Sequence, residues 1–307
     1  MQLTQIDTID REALAKAKKG KLKQINVPVF ESLADALDAA NGEASENWGD
    51  YRSSRKKEKS GDFYATKDWP ECKKLIASGW VEGREAVAAN LSEIFASGAA
   101  ALAAGEAVAH EVGGAYPDVP LYVAGEVCHM VNEGEQLGER PIIKLIVSVS
   151  ASCSVAANRV MNRGAAITAL VDQIESAGNS CEIYATWPTE SFNGKAFNAP
   201  FVRVKAAGEI VSIDDIAFSL GHASMLRRLF FGLIEIDPAT DGWGFQSGYG
   251  LPRDIPAAAL PTDAIYLRGM NNESDRYKTP EGAMEFVREK YNEQAEANGL
   301  ETVGGAL

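Results

Sequence analysis

The chain has 307 residues, 46% of them hydrophobic, which is enough for one large or two medium domains with a buried core. Its formal net charge of −13 argues against wholesale binding to phosphate backbones and favours simple solubility. Residues 1–12 lack the pattern of a signal peptide, and no apolar stretch is long enough to span a bilayer, so we expect a soluble protein without membrane association. The four cysteines are widely spaced, and Cys153 and Cys181 lie in or beside apolar runs where a free thiol packs as a small hydrophobe. A reducing cytoplasm is therefore expected.

Residues 1–138 are expected to form a mainly helical region. Val29 and Phe30 belong to a short strand-like run, and Ser32 then caps a helix that ends at Asn41-Gly42. Helical spacing of apolar residues predicts three further helices, at 68–78, 82–95 and 97–110. Residues 111–138 are rich in Gly and Pro, which indicates a loop-dominated connector, so the domain boundary is placed near Gly138.

Residues 139–307 are expected to form an α/β domain with a mostly parallel sheet flanked by helices. The run Ile142 to Val149 is mostly apolar and β-branched, as in a central parallel strand that is buried on both faces. A helix with apolar residues from Val160 to Ile174 follows, and then a second strand, Cys181 to Thr186, so these elements form a βαβ unit. The same patterns predict strands at 201–206 and 264–267, a long helix at 213–234 and a last helix at 280–298.

The end of the first strand carries a resemblance to a known family. The segment Ser148-Val-Ser150-Ala-Ser152 between a strand and a long helix is similar to the opening of von Willebrand factor A domains, which have an Asp-x-Ser-x-Ser metal loop there. Ser148 stands where the family has its metal-binding aspartate, and a hydroxyl does not replace a carboxylate as a ligand of Mg²⁺. The resemblance therefore implies a degenerate metal site, so we expect no cofactor. By position, the weak metal candidates are Ser150, Ser152, Asp214 and Asp241.

Longer phrases resemble uncharacterised bacteriophage proteins. They are NRGAAITALVDQIESAG at 162–178, AFSLGHASMLRRL at 217–229 and GAYPDVPLYVAGE at 114–126. The resemblance implies a phage-encoded protein in the cytoplasm of an infected host cell. The partner could be phage-encoded as well. It implies no activity.

Two segments are candidates for binding a protein partner. Backbone N–H groups at the start of a helix after a parallel strand point toward bound groups, so a partner carboxylate could dock on Ser148, Ser150, Ser152 and Ser154. The alternative is that these serines only cap the helix. The Gly-rich segment 241–253 is long for a turn, and its rings could form a recognition loop or pack inside the protein. These rings are Trp243, Phe245 and Tyr249.

A basic and aromatic loop offers an alternative function. Cations between aromatic rings are typical of proteins that bind single-stranded nucleic acid. The candidates are Trp48, Tyr51, Arg52, Arg55, Lys56 and Lys57. The alternative interpretation is a solvated charged loop between two helices.

Catalytic patterns are missing from the sequence, because it contains neither a G-x-S-x-G elbow nor a Gly-rich phosphate loop. The leading hypothesis is therefore a non-enzymatic, phage-encoded adaptor that holds a protein partner on its A-type domain. A single-stranded nucleic-acid-binding protein in phage replication or transcription is the first alternative. A metal-dependent enzyme of unknown substrate is the second.

Overall fold

The computed structural model of the chain describes residues 9–44, 48, 54–56, 61–96, 110–111, 116–117, 125, 130–131, 142–209, 212–243, 245, 248–270 and 274–304. The helices in this part are α1 (Arg11–Ala17), α2 (Leu33–Ala40), α3 (Gly61–Tyr64), α4 (Trp69–Ser78), α5 (Val81–Ala96), α6 (Ala157–Ser176), α7 (Ile213–Gly221), α8 (Phe231–Ile236) and α9 (Pro280–Asn298). The strands are β1 (Gln24–Asn26), β2 (Val29–Phe30), β3 (His110–Glu111), β4 (Tyr116–Pro117), β5 (Met130–Val131), β6 (Ile142–Ser148), β7 (Ser180–Thr186), β8 (Thr189–Glu190), β9 (Ala196–Asn198), β10 (Phe201–Lys205), β11 (Leu251–Pro252) and β12 (Ala264–Leu267).

The described residues form a mixed α/β fold whose main sheet has five strands in the order β12-β6-β7-β10-β2. Strand β6 lies between β12 and β7 and is parallel to both, which confirms the prediction of an interior parallel strand that begins at Ile142. Strand β10 is antiparallel to β7, so this sheet is mixed, although the other three of its four strand pairs are parallel. A second mixed sheet has the order β1-β9-β8-β11, and β3, β5 and β4 form a small antiparallel sheet.

Most of β6 is buried on both faces, which explains why its sequence is mostly apolar. Ile143, Leu145 and Val147 belong to a core cluster with the inward residues of α6, α7 and α9. Ile146 points to the opposite face, where it packs in a second cluster with residues such as Leu14 of α1. Side chains alternate along a strand, so a strand covered on both faces needs an apolar residue at nearly every position.

Strands from the N-terminal half complete both mixed sheets. Strand β1 pairs in parallel with β9, and β2 pairs in parallel with β10. The predicted helices at 68–78 and 82–95 are present as α4 and α5. The boundary predicted near Gly138 lies outside the described residues, as does nearly all of the helix predicted at 97–110. No helix in the described residues is long and apolar enough to cross a membrane.

The long helix predicted at 213–234 is wrong as a single element. Helix α7 ends at Gly221, His222 is extended at φ −104° and ψ 130°, and a π-helical turn from Met225 to Phe230 leads into α8. The N–H of Ser224 donates to Nδ1 of His222 at 3.0 Å. Apolar periodicity continues through this break because both parts bury the same face, so the pattern does not register the interruption.

Candidate functional site

A cleft of about 680 Å³ opens at the carboxyl ends of the three parallel strands of the main sheet. The residues that follow β6, β7 and β12 form one wall: Ala151, Ser152, Cys153, Trp187, Arg268 and Gly269. The other lining residues are Phe63, Leu226, Arg227, Phe231, Gly248, Gly250, Pro252, Arg253 and Asp254. The chain leaves β6 for β7 on one side, and β12 lies on the other side. The cleft therefore lies at a topological switch point, the usual position of ligand sites in open α/β sheets.

The serine loop contributes less of this cleft than the sequence predicted. Ser148 and Ser150 are buried, and the N–H of Ser150 lies 3.4 Å from Oγ of Ser148. Ser152 lines the cleft, while Ser154 is exposed beside it, with 3.1 Å between their hydroxyl oxygens. None of the four caps α6, because its N-cap is Ala156 without a side-chain hydrogen bond. The capping alternative is therefore wrong, and of the four serines only Ser152 is placed to meet a bound partner in the cleft.

Arg227 holds two parts of the cleft wall together. Its guanidinium donates to the carbonyl oxygens of Phe63 at 2.6 Å and Ser152 at 3.2 Å. The same group lies 4.3 Å from the centre of the Phe63 ring, within the range of a cation–π interaction. Burial lowers the pKa of Arg227 from its ordinary value, but an arginine keeps its proton near neutral pH. The contacts fix Phe63 at the edge of the cleft beside a permanent positive charge.

Two further arginines line the cleft, and most of their N–H donors make no hydrogen bond to the described residues. The side chain of Arg268 is 72% exposed, and its Nε lies 4.0 Å from the Asp254 carboxylate. The side chain of Arg253 is 41% exposed; its Nε lies 3.6 Å from Glu190, and its Nη1 donates weakly to the Pro252 carbonyl at 3.4 Å. Ion contacts of 3.6 to 4.0 Å are too long for hydrogen bonds. A guanidinium has five N–H donors, so both groups can bind an additional anion.

The remaining cleft surface is apolar and partly aromatic. Trp187, Leu226 and Phe231 lie in its interior, and Phe63 at the edge is 37% exposed. Phe192 is 52% exposed, and a methyl group placed on Gly248 of the cleft wall would lie 3.5 Å from Cζ of this ring. Exposed rings therefore flank an opening that also carries arginines.

The rings of the predicted recognition loop lie in the core. Trp243 is 9% exposed, Phe245 is fully buried, and Tyr249 is 8% exposed. The Tyr249 ring stacks on Phe231 with 3.8 Å between the ring centres. These rings support the cleft wall from behind, so they are not available to a partner, and the packing interpretation of the loop holds for them.

Two of the three described candidates around the basic loop, Trp48 and Arg55, are held by contacts within the protein. Trp48 is 1% exposed and stacks on Tyr249, with 4.8 Å between the ring centres. Nε of Arg55 donates to the buried carboxylate of Glu235 at 3.1 Å, and its Nη1 donates to the Gly42 carbonyl at 2.6 Å. Lys56 is exposed. Tyr51, Arg52 and Lys57 lie outside the described residues, so the predicted nucleic-acid surface is reduced by the two residues that the fold buries.

The weak metal candidates do not meet at one place. Asp214 lies in the first turn of α7, where it pairs with Arg84 at 3.0 Å. Neither Asp214 nor Asp241 lines the cleft that Ser152 lines, and Ser150 lies buried below it. Within the described residues no three His, Cys, Asp or Glu side chains come together as a metal site.

The cysteines and His222 have contrasting environments. Cys181 is buried as predicted, and burial raises its pKa to about 12. The same expectation for Cys153 is wrong: its side chain is exposed in the cleft, because the apolar run ends before it and the chain turns outward. His222 is 6% exposed, and burial lowers its pKa to about 4, so it is neutral at physiological pH.

Several residues of the cleft were not predicted from the sequence. Trp187 directly follows β7, and Arg268 directly follows β12. Ligand sites in α/β sheets lie at the carboxyl ends of parallel strands, so a search at the end of every predicted strand would have found both residues. Arg253 follows a two-residue strand of the second sheet and Phe63 lies in a short helix, and no sequence signal places either beside the main sheet.

Comparison with known proteins gives a family assignment for the chain. No curated protein and no solved structure matches it. One family model matches residues 12–295, which is most of the chain and includes every residue of the cleft. The chain therefore belongs to the family described as "Domain of unknown function (DUF7192)".

Proposed function

We propose that this protein is a non-enzymatic adaptor that holds a protein partner in its strand-end cleft. The cleft itself is the observation that carries the proposal: a concavity of about 680 Å³ at a switch point of the sheet, lined by arginines and aromatic rings. Arginine and aromatic residues are enriched at protein interfaces and supply many of the side chains that dominate binding energy. Within the part of the chain that the structure describes, Arg253 and Arg268 retain unused donors, so a partner can gain hydrogen bonds without breaking strong ones.

The proposal includes a von Willebrand A-like character for the main sheet. The succession of β6, the serine loop, α6 and β7 supports this assignment. Ser148 is buried and provides a hydroxyl in place of the family's aspartate, which supports partner binding without a bridging Mg²⁺. A phage origin and the cytoplasm of an infected cell remain predictions from the sequence.

The chemistry of the cleft supports binding better than catalysis. A serine or cysteine nucleophile needs a general base within hydrogen-bond reach. The titratable residues among those that line the cleft are Arg227, Arg253, Arg268, Asp254 and Cys153. Asp254 lies 4.0 Å from Nε of Arg268, so the one carboxylate among these lining residues is within ion-pair range of an arginine. The shape and the side chains of the cleft therefore favour a binding role.

Two alternative functions stay predictions. Single-stranded nucleic acid would now have to contact Lys56 together with Arg52 and Lys57, and binding of labelled oligonucleotides should then weaken steeply as salt is added. A metal-dependent enzyme would have to retain a stoichiometric divalent ion after purification, which elemental analysis of the purified protein measures.

The proposal can be tested with a photo-crosslinker placed in the cleft. In a Cys128→Ser background, a thiol-reactive benzophenone should label Cys153, because Cys72 and Cys181 are buried. A matched control carries the same label at exposed Glu296→Cys on α9, with Cys153→Ser. We expect a protein from extracts of the source cells to be crosslinked from position 153 and not from position 296.

Capture is informative only if it depends on the cleft. The crosslinked product should be lost when Phe63→Ala removes the ring at the cleft edge, while circular dichroism shows that the fold is retained. The same products from both labelled positions, or products that persist in Phe63→Ala, would refute a partner site in the cleft.

A further inference from the structure

The charge of the cleft is opposite to that of the whole protein. The lining residues include three arginines and one aspartate, a local charge of +2, whereas the chain carries −13. A cleft with low-dielectric walls focuses its local field, so it attracts a short anionic segment. A long polyanion such as nucleic acid would extend beyond the cleft, and the net charge of the whole chain has the same sign as such a ligand. The charge distribution therefore favours a short acidic ligand over a nucleic acid.

The donors of this cleft suit carboxylates. Arg268 makes no side-chain hydrogen bond within the described residues, and Arg253 makes one weak bond to the Pro252 carbonyl. The planar fork of a guanidinium matches a carboxylate with two parallel N–H···O bonds. Glu190 lies 3.6 Å from Nε of Arg253, and Asp254 lies 4.0 Å from Nε of Arg268, so both ion contacts are longer than hydrogen bonds. An incoming carboxylate can replace such contacts at little cost, since exposed ion pairs contribute little stability.

The apolar part of the cleft lies beside these donors. Phe63 is held in place by the Arg227 guanidinium, and Trp187 and Leu226 line the same cavity. Rings that are already fixed before binding lose little conformational entropy when a ligand packs on them. A leucine or phenylalanine side chain fits this surface, and a simple inorganic anion would leave it in contact with water.

Building on the proposed function, we propose that the cleft recognises a short acidic peptide segment of the partner in which an apolar side chain is flanked by carboxylates. The apolar side chain packs between Phe63 and Trp187, and the flanking carboxylates accept hydrogen bonds from Arg253 and Arg268. Arg227 positions the Phe63 ring and contributes positive charge from behind it.

The test uses the purified full chain and labelled peptide libraries. In one library leucine or phenylalanine is fixed between glutamates, and in its matched partner the glutamates are replaced by glutamine. We expect the glutamate library to bind, measured by fluorescence anisotropy, and the glutamine library to bind at least about tenfold more weakly, since each lost charge-assisted hydrogen bond weakens binding by about that factor.

Substitutions on the protein provide the complementary measurement. Arg253→Glu and Arg268→Glu should each weaken binding of the glutamate library by about tenfold or more. Arg276→Glu is the matched control, because the Arg276 side chain is 56% exposed and does not line the cleft. Its affinity should equal that of the unmodified chain. All three positions are exposed to solvent, so unfolding curves should show that the variants remain folded.

The outcomes separate this inference from the proposed function. Equal binding of the two libraries, or no binding of the glutamate library, overturns the acidic-peptide assignment. Tighter binding of inorganic phosphate or oligothymidylate than of the glutamate library overturns it as well. If crosslinking from Cys153 still captures a Phe63-dependent partner in these cases, the adaptor function stands and only the ligand chemistry is wrong.

Discussion

The buried carboxylate of Glu235 offers the sharpest test of how the region behind the cleft is held together. It is fully buried, and Oε1 accepts hydrogen bonds from the N–H and hydroxyl of Ser54, both at 2.6 Å, and from the hydroxyl of Tyr249 at 2.7 Å. Oε2 accepts from Nε of Arg55 at 3.1 Å. One side chain thereby joins the loop around Ser54, helix α8 and the ring that stacks on the cleft residue Phe231.

The expected effect of Glu235→Ala follows from these contacts. The substitution leaves the Ser54 and Tyr249 hydroxyls and the Arg55 guanidinium without their common acceptor. A buried polar group without a partner costs about 1 to 3 kcal/mol, and breaking a buried ion pair by removing one partner costs about 3 to 5 kcal/mol. Because water can enter where the side chain is removed, we expect a loss of about 4 kcal/mol in the free energy of unfolding and not the full sum.

Tyr249→Phe should be much milder, at about 1 kcal/mol. It removes a hydroxyl that donates to Glu235 and accepts from the Ser54 N–H at 2.9 Å, while Glu235 keeps its bonds to Ser54 and Arg55. The exposed carboxylate of Glu293, which pairs with Lys290 at 2.9 Å, provides a matched control. Glu293→Ala should change stability by less than about 1 kcal/mol.

The assay is urea unfolding of the three variants and the unmodified chain, followed by circular dichroism and tryptophan fluorescence. The slope with denaturant should be unchanged, so differences in midpoint report stability. A loss for Glu235→Ala that equals the loss for Glu293→Ala would refute the reasoning, as would a larger loss for Tyr249→Phe than for Glu235→Ala.

Three further predictions concern His222, Gly164 and the cysteines. Burial lowers the pKa of His222 from 6.5 to about 4, so the unfolded chain takes up a proton in this window and the folded chain does not. The unmodified chain should therefore lose up to about 3 kcal/mol of stability as pH falls from 6.5 to 4. Unfolding curves of His222→Gln should lack this part of the pH dependence. Parallel pH profiles of the two proteins would contradict the prediction. Gly164→Ala should lower stability by about 1 kcal/mol, because its methyl group would lie 3.1 Å from the Gly221 backbone and the overpacking outweighs the gain in helix propensity. An unchanged or higher melting temperature would show that α6 and α7 can separate. A disulfide reagent should modify Cys153 in the native protein and Cys181 only after unfolding, as mapped by mass spectrometry, because burial raises the Cys181 pKa to about 12; early modification of Cys181 would argue against its burial.

Local elements could be predicted from the sequence because their signals are local. Ser32 accepts a hydrogen bond from the N–H of Asp35 at the start of α2, as its position before an apolar helical pattern indicated. Pro280 begins α9 and Gly299 ends it in a left-handed conformation, so both ends of that helix agree with the sequence pattern. The interior position of β6 was also predictable, since a strand that is covered on both faces favours apolar residues at most of its positions.

Charged and aromatic residues in loops were misjudged for a physical reason. Arg55 and Tyr249 have the composition of a binding surface, but their polar groups are satisfied by the distant Glu235. A side chain that is costly to bury alone becomes part of the interior once its partner is in place. That partner is about 180 residues away from Arg55 along the chain, and no local pattern connects them.

By itself, the sequence determined the βαβ unit of β6, α6 and β7 and the serine loop at its end, because hydrophobic periodicity and strand burial act over short stretches of chain. The tertiary structure alone decided which residues surround that loop. It brought Arg253 and Phe63 to the same cleft as Arg268, turned Ser148 and Ser150 inward, and placed the rings around Tyr249 in the core. Which side chains face a cleft depends on contacts between residues far apart in the chain, and these contacts are selected by packing and charge compensation in the folded protein.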